Sequence, residues 1–85
     1  MIFMQKKTTY NLLYRTKCQF LASTLYALGL KLDSSEWSNG VCFFVFENQE
    51  KCEETVKKYY QGELRLDPRN LWDGFKTIKS IIFNN

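Results

Sequence analysis

The stretch Glu36-Trp37-Ser38-Asn39-Gly40-Val41-Cys42-Phe43 decides the fold. A two-residue type I′ turn needs positive φ at both central positions, and Asn followed by Gly tolerates that best. Asn39-Gly40 therefore predicts a tight hairpin. Its second strand continues as Val41-Cys42-Phe43-Phe44-Val45-Phe46 and is apolar on both faces. Such a strand is expected at the centre of a sheet with cover on both sides, or with one core face and one partner-binding face. The turn also sets the register. Phe43 and Val45 fall on one face, with Cys42, Phe44 and Phe46 on the other.

Working upstream, residues 30–37 form the first strand of the hairpin, with Leu30 and Leu32 on one side. Before it, Thr16-Lys17-Cys18-Gln19 has the form of a capping box, in which the Thr16 hydroxyl accepts from the Gln19 N–H. The helix that follows places Cys18, Leu21, Ala22, Leu25 and Leu28 on one face and ends at Gly29. Residues 8–14 are rich in β-branched and aromatic side chains and read as a strand.

Downstream, Asn48 is the expected N-cap of a second helix, which has the apolar stripe Cys52, Val56, Tyr59 and Tyr60 and stops at Gly62. Glu53 with Lys57, and Glu54 with Lys58, are i,i+4 pairs of favourable polarity. Residues 63–66 alternate in polarity, as a short strand or an extended link. Asp67-Pro68 opens the last helix, Asp as N-cap and Pro at the first helical position. Leu71, Trp72, Phe75, Ile78 and Ile82 form its apolar stripe. The expected architecture is one α+β domain over residues 1–85, in the order β-α-β-β-α-(β)-α. Three helices pack a three- or four-stranded, mainly antiparallel sheet. Residues 1–7 and 84–85 are expected to be loosely held.

Composition narrows the chemistry. The chain has 85 residues, 45% hydrophobic and 16% aromatic, which excludes a disordered chain. It has no His, so triads and zinc sites that depend on His are excluded. Cys18, Cys42 and Cys52 are odd in number and far apart, which points to reduced, mostly buried thiols and a cytoplasmic setting. The longest apolar run, residues 41–46, is far short of the ~20 residues that span a bilayer. No Gly-rich phosphate loop is present. The expectation is a non-enzymatic protein with no cofactor, no metal and no membrane segment.

Two groups of side chains are candidates for binding. Arg69, Lys76 and Lys79 fall on one flank of the last helix, and Lys6, Lys7, Arg15 and Lys17 cluster around the first strand and helix start. If these converge they make a phosphate-binding patch, and exposed Tyr or Trp beside it would stack bases. The competing reading is an ordinary charged surface, since 9 acids nearly match 12 bases. The second group is aromatic. Tyr10, Tyr14, Tyr26, Tyr59, Tyr60, Trp37 and Trp72 are too many for full burial in so small a domain. Trp37, Phe44, Phe46 and Tyr60 are therefore candidates for an interface with a protein partner or a second copy. Gly74, inside the last helix, is read as a point of close packing, the alternative being a functional surface.

Five segments in order carry a family resemblance. They are Leu21-Ala22-Ser23 with Leu25 and Leu28-Gly29; Leu30-Lys31-Leu32; Val41 with Phe44-Val45-Phe46-Glu47; Val56 with Tyr59-Tyr60-Gln61-Gly62; and Asp67-Pro68 with Leu71, Phe75 and Ile78-Lys79-Ser80. Over most of its length the chain resembles a small domain-of-unknown-function family of phages, prophages and bacterial mobile elements. The resemblance implies no activity, cofactor or catalytic residue. It implies an accessory protein in a bacterial host cell that binds a macromolecule. The leading expectation is nucleic acid, or a nucleic-acid-processing machine, on the basic helix flank. The alternative is a protein–protein module, either a homodimer or an inhibitor of a host or defence protein, using an exposed aromatic sheet face.

Overall fold

The computed structural model describes residues 12–83. Among them run β1 (Leu13–Thr16), α1 (Gln19–Ala27), β2 (Leu32–Ser38), β3 (Val41–Glu47), α2 (Gln49–Gln61) and α3 (Pro68–Phe83). The sheet has the order β1-β3-β2, with both pairings antiparallel. The α+β class, the element order and the central place of the hairpin's second strand are as expected. The loosely held ends expected at 1–7 and 84–85 lie outside the described residues.

The hairpin forms as its turn dictates. Asn39 has φ 53° and Gly40 φ 80°, and Trp37 pairs with Cys42 and Ser38 with Val41 across it. A bulge between Leu32 and Ser34 shifts β2 by one residue further along, which keeps Leu32 on the core side. α2 starts at Asn48, whose side chain accepts from the Lys51 N–H at 3.2 Å, and ends at Gly62 in the left-handed region. α3 starts after Asp67, whose carboxylate accepts from the Arg69 N–H at 2.8 Å.

Several expectations are corrected. β1 ends at Thr16, two residues beyond the expected strand end at Tyr14, because Thr16 pairs with Phe44 of β3. Thr16 is thus still in the sheet and does not form the capping box. Its hydroxyl accepts from the Cys18 N–H at 3.1 Å and turns the chain toward the helix. Leu28 is exposed, at the C-cap. Of the two alternatives for residues 63–66, the link holds, since no strand forms there. Among the described residues, Glu53–Lys57 and Glu54–Lys58 do not close into ion pairs; those that do are Arg15–Glu36 and Lys76–Asp73.

The largest correction concerns the sheet face. Phe44 and Phe46 were interface candidates, yet both are 0% exposed. With Cys42 they join Ala22 and Leu25 of α1, Cys52 of α2 and Ile78 of α3 in one core. The helices therefore cover this face. Burying each Phe side chain contributes about 1.5–3 kcal/mol. On the opposite face Arg15 reaches across β3 to Glu36, with Nη2 3.0 Å from Oε1, and its guanidinium sits 4.7 Å over the Phe43 ring.

α1 and α3 pack at close quarters. Ser23 and Thr24 are buried in mid-helix, and their hydroxyls donate back to the Gln19 and Phe20 carbonyls at 2.7 and 2.9 Å. This folds away the polar groups, so the helix can be buried on this side. Gly74 of α3 lies against that surface, which bears out close packing as its role.

Candidate functional site

The tight α1–α3 contact uses only part of the apolar stripe of α3. Gly74 and Ile78 are buried, and Ile81 and Ile82 lean on the core. Leu71 and Trp72, expected in the core stripe, stand at the rim instead, and Trp72 is 59% exposed. Opposite them on α1 stands Phe20, 64% exposed. Between the two helices and Tyr59 of α2 lies an open groove of about 330 Å³, its walls made mainly of Phe20, Leu71, Trp72 and Phe75 with Ser23 and Thr24 at its base.

The rings form a row. Phe20 and Phe75 stack with centroids 5.7 Å apart and planes 7° from parallel. Trp72 follows at 6.1 Å from Phe75, tilted by 30°. Cations of α3 lie over these rings. The Lys79 ammonium is 5.4 Å from the Phe75 centroid and 5.5 Å from that of Phe83, and Lys76 is 6.0 Å from that of Trp72. Lys76 also pairs with Asp73 at 3.7 Å, an exposed contact of little energy. Arg69 is exposed at the start of the same helix, and Phe83 is exposed at its end.

The two basic groups part company here. Arg69, Lys76 and Lys79 share a flank with the aromatic row. Arg15 belongs to the far face of the sheet and is held by Glu36 and Phe43. Lys17 lines a separate hollow with Trp37 and Ile82. Lys6 and Lys7 lie outside the described residues. Of the protein-interface candidates, Tyr60 is 73% exposed and packs edge-on against Tyr59. Trp37 is half-exposed near the hairpin turn. Phe20 and Phe83 were not singled out from the sequence. Phe20 sits beside Leu21, outside the apolar face expected for that helix, and an aromatic off the core stripe was the available signal.

The buried thiols of Cys42 and Cys52 are poorly placed for reaction. Burial, with the Glu53 charge adding, pushes the Cys52 thiol up to about 11, and it donates to the Glu47 carbonyl at 3.5 Å. Burial raises the Cys42 thiol as well. Among the described residues no group of three or more His, Cys, Asp or Glu could hold a metal ion, and no helix is long and apolar enough to cross a membrane.

The fold and groove define a small α+β domain with an aromatic cleft edged by cations. Comparison with protein-family models, curated proteins and solved structures finds no match.

Proposed function

We propose that this chain is a non-enzymatic accessory protein that binds nucleic acid, alone or within a nucleic-acid-processing machine, through the flank of α3. The observation that carries this reading is the placement of Lys76 and Lys79 against the rings of Trp72, Phe75 and Phe83, with Arg69 exposed earlier on the same helix. Cations beside ring faces suit a polymer that alternates phosphate with base. The mainly apolar groove favours binding over catalysis. The phage or mobile-element setting, and with it the bacterial cytoplasm, rests on the five resembling segments. Titration of labelled DNA and RNA at low and at moderate salt, followed by anisotropy, tests the proposal. Binding at low salt that weakens as salt rises supports it, and no binding at low salt refutes direct contact.

One observation favours a second reading. The groove walls are almost wholly apolar, and exposed Tyr60 continues the surface beside Tyr59. A protein partner, such as a host or defence protein that this chain inhibits, would bury that surface. The covered Phe44–Phe46 face moves this second reading from the sheet to the helices.

A further inference from the structure

We propose that the α3 flank takes a single strand rather than a duplex, by stacking bases on Phe20 and Trp72, and with little sequence preference. This deepens the nucleic-acid reading and rests on it. A duplex keeps its bases stacked inside and offers a protein surface mainly phosphate. Rings standing in solvent then gain nothing, and only Arg69, Lys76 and Lys79 would contribute, one of them already beside Asp73. An unpaired strand offers both groups. Its bases find the exposed rings, and its phosphates find the ammonium groups that lie 5.4–6.0 Å from ring centroids on the same flank.

The absence of sequence preference follows from the base of the groove. Reading a base edge needs directed donors and acceptors. Of the polar groups that line it, the Ser23 and Thr24 hydroxyl protons are committed to the Gln19 and Phe20 carbonyls, and the Tyr59 hydroxyl and Trp72 indole N–H are lone groups rather than a paired donor and acceptor set to a base edge. Ring faces remain, and every base has a face to stack.

The test compares three probes at low salt: a labelled single strand of mixed sequence, its duplex, and the same strand with its bases removed. The single strand is expected to bind at least about tenfold tighter than either other probe. Trp72 is exposed, so Trp72→Ala should fold, as circular dichroism would verify. It is expected to lose about tenfold on the intact strand and nothing on the abasic one, while Trp72→Tyr retains binding. Equal affinity for duplex and single strand, or an unchanged Trp72→Ala, overturns the stacking proposal and leaves the broader reading standing. A strong preference among single strands of different sequence overturns the inference from Ser23 and Thr24. If no probe binds, direct nucleic-acid contact falls together with the stacking proposal, and the groove passes to a protein partner.

Discussion

A Cβ built on Gly74 would lie 2.8 Å from the Ser23 carbonyl oxygen. That distance is shorter than real Cβ contacts, and the obstacle is backbone, which cannot swing aside. The missing side chain therefore lets α3 lie flush on α1. It also brings Phe75 to Phe20 and so forms the wall of the groove.

Gly74→Ala should destabilise the protein although Ala is the better helix former by about 1 kcal/mol. The clash should exceed that gain, for a net loss of roughly 1–3 kcal/mol. Urea unfolding measures it. A stabilised variant would mean that the helices can separate at no cost.

Asn48 allows two effects to be separated. It has φ 67° and its side chain caps α2. Asn48→Gly keeps the left-handed backbone and loses only the cap, so it should cost a few tenths of a kcal/mol. Asn48→Ala loses both and should cost about 1–2 kcal/mol. Equal thermal stability of the two variants would show that backbone strain is unimportant here.

How far local signals reach is visible in these same residues. Asn39-Gly40, Asn48, Gly62 and Asp67-Pro68 each act within a few residues, so hairpin and helix ends could be read directly. Thr16 could not, because its partner Phe44 is brought to it by the sheet. Phe44 and Phe46 were misassigned for the same reason, since their cover comes from three helices. At the site, Arg69, Lys76 and Lys79 follow from one helical wheel. Phe20 does not, because its partner Phe75 meets it only once α1 and α3 pack.

Alkaline pH should weaken the fold. The Cys52 thiol sits at about 11 when folded against an ordinary 9.0. Between these values the unfolded chain loses its proton while the folded chain keeps it. Stability is thus fully present below about pH 9 and lost as pH rises toward 11, by an amount on the order of 2 kcal/mol. Burial raises Cys42 and Tyr14 in the same direction. Comparing unfolding midpoints across that window, Cys52→Ala should show a shallower fall than the parent. Parallel curves would rule out Cys52 as a source of the slope.

Arg15 offers a control for the site. It lies on the far sheet face, bound to Glu36 and over Phe43. Arg15→Ala should cost stability of about 1 kcal/mol through these contacts and leave nucleic-acid affinity within twofold. A large loss of affinity would place part of the binding surface on the sheet.

The most direct measurement is the salt dependence of affinity for a single strand, in the parent and in a variant with Arg69, Lys76 and Lys79 all changed to Ala. Three phosphate contacts predict a log–log slope of about −2 in the parent. The triple variant should bind far more weakly at low salt and show a slope near zero. Equal affinity and equal slope in the two proteins, or no binding by the parent at low salt, would contradict the assignment of the α3 flank.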